Sequence, residues 1–348
     1  MGAHTWQEIQ SQPQAWESAL SAVRYHANLI NSLINEPQVV DEIVLVGCGS
    51  SYYLALSAAA TFQRLLGIPS RAIPSSEAIF YPESVFRRGK SVLVVGISRS
   101  GETTETLVAL GRAASSPGVR LMSVSCRQDT ELARLGGFHL YLPGCDEVSV
   151  VMTRSFSAML LALQGVAALG AGNVAWFDRL SGLPVVAQNI VDAALPLTRS
   201  LGSDGSIRRF VFLGSGPFYG IACEGMLKIK EMALANSEAY HTLEFRHGPM
   251  SVLDANTLVV SITSDVARRE ESELLQELQS LSARTLAVGA PVAGAEHVVE
   301  LPVDRFDEWA RAALAIVPLQ LLAYCRATSE GFDPDRPQHL SRVVRLGF

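Results

Sequence analysis

At 348 residues the chain is long enough for about two domains and for a core held by neither disulfides nor metal. Hydrophobic residues make up 48% and charged residues 18%, which excludes intrinsic disorder, and 27 Gly and 16 Pro without a period exclude collagen-like and low-complexity classes. With 28 basic against 34 acidic residues and a net charge of −6, the chain lacks the basic stripe of a nucleic-acid or acidic-membrane surface. Neither partner is expected, and any anionic ligand must be held locally by backbone amides and a few side chains.

Five cysteines (Cys48, Cys126, Cys145, Cys223, Cys325) are scattered without a CxxC or a zinc-like spacing, so no metal site is expected. Free cysteines and no signal peptide point to the cytoplasm.

The first 35 residues predict helix, with Trp6, Ile9, Trp16, Leu20, Val23 and Leu29 at helical spacing. EIVLVGCGSS follows, an unbroken apolar run closed by glycine and serine, the pattern of a strand buried on both faces. SYYLALSAAATFQRLL predicts a helix, SRAIPSSE a short strand and turn, and SVLVVGISRSGETTETLVALGRAA a strand, a Ser/Gly turn and a helix. VRLMSVSC and FHLYLP predict two more short strands, and TRSFSAMLLALQGVAALG a long helix. The charge-free stretch from Ala158 to Phe177 approaches a membrane span in length, but its Gln164, Asn173 and glycines read as a buried helix. The order β-α-β-α-β-β-α indicates a mostly parallel α/β sheet with helices on both faces.

The pattern then recurs. RRFVFLGSGPFYGIACEGMLKI matches DEIVLVGCGSSYYLALSAAA, with Gly216 for Gly49, 167 residues on. TLVVSITSDVARREESELL matches SVLVVGISRSGETTETL, with Thr263 for Ser98, 165 residues on. RTLAVGA answers RLMSVSC, and EHVVELP answers GFHLYLP. These are two copies of one α/β domain, joined near Ser181 to Thr198. The first copy keeps Ser-rich turns (GCGSS, SRSGET) and the second replaces them with GSGP and TSD. One copy is expected to bind the ligand and the other to supply different groups.

Two readings are open for SRSGET, between a strand and a helix. Its hydroxyls can simply cap the helix. Alternatively, Ser98, Ser100 and Thr103 converge with the N–H groups and dipole of the helix's first turn into an anion cradle suited to phosphate, with Gly101 permitting close approach. GCGSS, with Gly49 and Ser51, lies at the same sheet edge, where α/β sheets bind ligands, and favours the cradle. It is not GxGxxG, since Tyr52 stands where the third glycine should be, so a dinucleotide site is disfavoured.

Glu224, Lys228 and Glu231, spaced i, i+4, i+7, share one helical face. They form either an exposed ion pair worth about 0.3–0.5 kcal/mol or partly buried carboxylates beside an ammonium, suited to moving protons near neutral pH. His247 sits in a turn because Gly248-Pro249 cannot continue a helix, either as a structural ring or as a proton shuttle.

Taken together, GCGSSYYLAL, ISRSGETTETL, EVSVVMTRSF, EGMLKIKE, FRHGP and PLQLLAYCRATSEGFDPDRPQHL resemble, in this order and over nearly the whole chain, the tandem sugar-isomerase (SIS) domains of the isomerase half of glucosamine-6-phosphate synthase. Its standalone relatives, the hexosamine-6-phosphate deaminase/isomerases and fructosamine-6-phosphate deglycases, share them. The resemblance implies two SIS domains, each a flavodoxin-like doubly wound sheet: residues 1–190 with the N-terminal helix and phosphate site, and 191–348 with the catalytic helix, the His loop and the tail. It implies that Gly49, Ser51, Ser98, Arg99, Ser100 and Thr103 line a sugar-phosphate site, with Val150 on its wall. It implies that Glu231 moves a proton between C1 and C2 of the open-chain sugar, with Lys228 and Glu224 beside it. His247 then assists ring opening and comes from the partner subunit of a homodimer with a shared active site. No cofactor is needed, because an enediol forms by proton shuttling alone.

Departures from the family pattern narrow the expectation. No glutaminase domain is expected ahead of the SIS domains. Where the synthase has a Schiff-base lysine in its tail this chain has Arg342, which stays protonated and cannot form that imine. Arg342 is left either to reach the substrate or to pack the tail. Arg99 replaces the synthase's glutamine and adds a positive charge at the phosphate site. Glutamine-dependent synthesis is therefore not expected. The expected activity is aldose–ketose isomerisation of an amino-sugar phosphate with deamination; a fructosamine-6-phosphate deglycase and a non-catalytic phosphosugar sensor are the alternatives.

Overall fold

The computed structural model of the chain describes residues 1–86 and 89–347. Three helices open it, α1 (Ala3–Gln10), α2 (Gln12–Tyr25) and α3 (Ala27–Asn35), where the periodicity predicts one. Ser11 and His26 break it, and Pro13 starts α2 at a position that needs no N–H. Leu29, counted with the apolar face, is half exposed.

The first repeat then runs β1 (Glu42–Gly47), α4 (Ser50–Leu66), β2 (Ser70–Pro74), α5 (Ser75–Phe80), α6 (Pro82–Val85), β3 (Val92–Ile97), α7 (Thr104–Ala114), β4 (Val119–Ser125), α8 (Glu131–Arg134), β5 (Phe138–Tyr141), α9 (Arg154–Gly170) and α10 (Val174–Leu180). Its strands pair in parallel in the order β2-β1-β3-β4-β5, the flavodoxin-like order. Every residue of β1 and β3 is buried, as their continuous apolar runs require. SSEAIF after β2 is helix α5 rather than the turn its serines suggest. The charge-free stretch to Phe177 is not one helix: α9 is buried from Ser155 to Gly170 and stops there.

The second repeat follows helix α11 (Leu183–Ser203), which stands where a linker is predicted. It comprises β6 (Arg209–Leu213), α12 (Tyr219–Ala233), β7 (Asn236–Tyr240), β8 (Thr257–Ile262), α13 (Arg268–Ser280), β9 (Arg284–Gly289), β10 (His297–Glu300) and α14 (Glu308–Ser329). Its parallel order, β7-β6-β8-β9-β10, is that of the first sheet element for element. The repeat extends to single hydrogen bonds. Ser51 N–H donates to the Cys48 carbonyl at 3.1 Å as Phe218 N–H does to Ser215 at 3.0 Å, and Ser98 N–H donates to Val124 at 3.1 Å as Thr263 N–H does to Val288 at 3.0 Å. Gly49 and Gly216 share a φ of 54° and 56° at the strand-to-helix turns, a conformation only glycine adopts without cost.

By contacts the chain forms two compact units. The first comprises Ser11–Glu147, Met152–Pro184 and Ser341–Phe348; the second comprises Met1–Gln10, Val148–Val151 and Val185–Leu340. The division thus differs from a single cut at 190/191, which falls inside α11. Val174–Ser203 and Glu308–Ser329 are long and apolar enough by composition to cross a membrane, but 83% of the second's apolar window is buried within the structure, the surroundings of a core helix.

Candidate active site

In the first unit the hydroxyls of the Ser98–Thr103 turn lie together. The Ser98 hydroxyl lies 3.0 Å from that of Thr103 and 3.4 Å from that of Ser100. It also accepts from the Gly101 N–H at 3.1 Å, and Ser100 Oγ accepts from the Glu102 N–H at 3.2 Å. Thr103 sits at the N-cap position of α7 but makes no side-chain cap bond. The capping alternative therefore fails, and the first-turn N–H groups of α7 keep their dipole's positive end uncovered by Thr103. The Ser100 N–H donates to no described residue. Ser50 and Ser51 are buried in the first turn of α4, after Gly49.

Gly101 has φ 68°, and a Cβ there would lie 2.4 Å from the Thr130 side chain. The close neighbour that excludes a side chain is thus the α8 cap, whose Thr130 Oγ1 accepts from Ala133. Gly101→Ala is expected to lower stability by about 1–3 kcal/mol, from left-handed strain plus the clash, read as a lower urea midpoint at unchanged slope.

Arg99 differs from its expectation. It is 5% exposed and turned inward, with Nη1 3.5 Å from Glu147 Oε2 and Nη2 donating to the Arg342 carbonyl at 3.3 Å. Its charge is spent on Glu147 rather than presented to a ligand. Glu147 was not singled out by sequence, although it opens the EVSVVMTRSF motif. It is fully enclosed: Oε1 accepts from both Thr153 N–H and Thr153 Oγ1 at 2.7 Å, and Oε2 accepts from Ser155 Oγ at the start of α9.

Arg342 packs the tail. Nη2 pairs with Asp146 Oδ1 at 2.7 Å and donates to the Glu147 carbonyl. Arg127 Nε holds the other Asp146 oxygen at 2.9 Å. Burial works to raise the Asp146 carboxyl, but Arg127 and Arg342 outweigh it and hold it below the usual range. Beyond Arg342, Arg345 pairs with Glu102 at 2.8 Å, and Leu346 N–H donates to Thr104 Oγ1 at 3.2 Å. The tail thus lies along the start of α7.

The second unit carries the ion triad on α12. Glu224 and Lys228 are fully buried, and the Glu231 side chain is 19% exposed. Lys228 Nζ lies 3.0 Å from Glu224 Oε1 and 2.5 Å from Glu231 Oε2, so the solvated ion-pair reading fails. Burial lowers the Lys228 ammonium's pKa, but Glu224 and Glu231 more than reverse it, so its value ends above the ordinary one. Lys228 is thus held as a cation between buried Glu224 and Glu231, the member that meets solvent. The helix ends at Leu234, a left-handed residue with φ 52°, and the chain turns at once into β7, which carries NSEAY.

His247 caps a 3-10 turn, Glu244–Arg246, and is exposed; its ring makes no hydrogen bond with a described residue. Val150 is half-buried in a segment held by α1, where Glu8 Oε1 accepts from Val148 N–H at 2.6 Å and Ser149 N–H at 3.2 Å. The predicted set is therefore divided. Gly49, Ser51, Ser98, Arg99, Ser100, Thr103 and Arg342 belong to the first unit; Val150, Glu224, Lys228, Glu231 and His247 belong to the second. Among the described residues no three His, Cys, Asp or Glu side chains gather to hold a metal ion.

Residues 39–169 and 206–323 match the model of the SIS domain. A glutamine–fructose-6-phosphate aminotransferase (isomerizing) of Gloeobacter violaceus is 32% identical over 322 residues, 88% of this chain and 52% of the relative. The chain spans about half the length of the curated relatives it matches. Among solved structures, a glucosamine-6-phosphate deaminase of Thermotoga maritima is 33% identical, with 99% of this chain and 100% of that one covered and a TM-score of 0.81. A tagatose-6-phosphate ketose/aldose isomerase of Escherichia coli, 23% identical with 96% and 95% covered and a TM-score of 0.87, shares the fold.

Proposed function

This chain belongs to the SIS-domain family of sugar-phosphate isomerases, and we propose that it acts on a 2-amino-sugar phosphate, interconverting aldose and ketose forms and releasing ammonia. The observation that carries this reading is the α12 triad, in which a buried cation holds one partly exposed carboxylate, Glu231. The Glu231 carboxylate takes the C2 proton of the open-chain aldose, and the electron pair forms the C1–C2 double bond while the displaced carbonyl pair on O1 takes a proton from water, giving the enolamine. The same proton returns to C1, leaving an imine at C2. Water adds to that imine and ammonia leaves, giving the ketose phosphate. His247 serves ring opening; its exposure fits a group that each subunit of a homodimer contributes to its partner's site. Likeness to the Thermotoga maritima deaminase over the full length favours ammonia release.

The phosphate goes to the Ser98–Thr103 turn. Ser98→Ala and Thr103→Ala are each expected to weaken phosphosugar binding about ten- to hundredfold, the loss of a hydrogen bond to a charged group, with kcat changing less than KM. A panel of hexosamine-6-phosphates and fructosamine-6-phosphate adducts, followed by coupled ammonia and glucose-6-phosphate assays, tests the reaction. Ammonia from a hexosamine phosphate supports it. Turnover of the adducts alone would make the chain a deglycase, and binding without turnover a sensor.

A further inference from the structure

The two repeats carry the same turn with different contents. Ser264 and Asp265 of the second repeat occupy the places of Arg99 and Ser100, 165 residues on, and their N–H groups are taken. Ser264 N–H donates to Glu271 Oε2 at 2.9 Å, and Asp265 N–H donates to Glu308 Oε2 at 2.8 Å. Glu271 stands where the first repeat has Thr106; it is fully buried, and Glu308 is nearly so. Burial pushes the Glu271 carboxyl up to about 7, against the pull of the Ser264 N–H. Nearby Arg311, 0% exposed, pairs with Asp265 Oδ1 at 2.5 Å while its Nε and Nη1 meet no acceptor among the described residues. The hydroxyls have gone as well: Ser51, Ser100 and Thr103 answer to Phe218, Asp265 and Arg268.

We propose that the second repeat is a phosphate site closed from within: Glu271 and Glu308 place carboxylate oxygens on the turn N–H groups, that of Asp265 answering to the Ser100 N–H on which the first repeat receives phosphate. The chain is then left with one open phosphate turn. A tethered carboxylate outcompetes free phosphate because it gives up no translational freedom on binding. This inference rests on the reading of the Ser98–Thr103 turn as the phosphate site.

Calorimetric titration of the full chain with inorganic phosphate tests it, comparing wild type with the D265S/E271T/E308Q variant. D265S and E271T restore the first repeat's residues, and E308Q neutralises the second carboxylate. The expected result is one phosphate per chain for the wild type and two for the variant. E270Q/E273Q/E277Q, which makes the same charge change on the exposed side of α13, stays at one. A folded triple variant that still binds one phosphate overturns the inference, as does a control that also gains a site. A wild type that binds none overturns the phosphate reading of the first turn instead. Should the triple variant not fold, hydrogen exchange on the wild type decides. Ser264 and Asp265 amides protected with or without phosphate, and Ser100 only with it, support the inference; phosphate-dependent protection at Ser264 and Asp265 sinks it.

Discussion

Glu231→Gln is expected to cut turnover by about 10²–10⁴-fold, the span of a lost general base, while phosphosugar affinity stays within about twofold. Glutamine keeps the shape and can still accept a hydrogen bond from Lys228, which holds the native carboxylate at 2.5 Å. What it loses is the ability to take a proton. The turn proposed to take the phosphate belongs to a different repeat, so binding has its own determinants. Solvent deuterium incorporation into the recovered sugar isolates the proton step from imine hydrolysis, and it should vanish with turnover. Persistence of exchange in the variant would move the base to another residue.

Lys228→Met is the second large effect, on stability rather than chemistry. Removing the ammonium leaves Glu224, which is fully buried, and Glu231 without their cation. Breaking a buried pair from one side costs about 3–5 kcal/mol, read as a lower urea midpoint. The sign of the pH dependence follows. In the wild type the Lys228 value is raised, so its contribution is complete below the ordinary lysine value and is lost only as pH rises through the raised one; between pH 5 and 9 it is flat. In the variant the uncompensated carboxylates favour their protonated forms in the fold. The deficit should therefore be full at pH 8 and shrink as pH falls toward 4.

Much of this was legible in the sequence because its causes are local. The apolar runs of β1, β3, β6 and β8 can only be buried strands, and the recurrence of strand, glycine turn and helix gives the duplication its register. Glu224, Lys228 and Glu231 share a face by helical arithmetic alone. The remainder depends on residues distant in sequence. Arg99 was expected to face a ligand, and nothing around it marks Glu147, 48 positions away, as the carboxylate that would claim it. Arg342 left its two fates open because its acceptors, Asp146 and the Glu147 carbonyl, belong to a loop nearly two hundred residues earlier. NSEAY has too few apolar residues to declare itself a strand; β7 exists because β6 offers it a free edge. The carboxylates on the second turn come from two helices, α13 and α14, so no motif contains both.

The exchange of chain ends between the units has a consequence for inheritance and for engineering. The opening ten residues are built into the later repeat, where Thr5 meets Asp335 at 2.7–2.8 Å, and the closing eight into the earlier one. A cut between the repeats would leave each without a segment that its unit contains. The duplication is thus no longer divisible: neither copy can be lost, shuffled or expressed alone without carrying the other's terminus along.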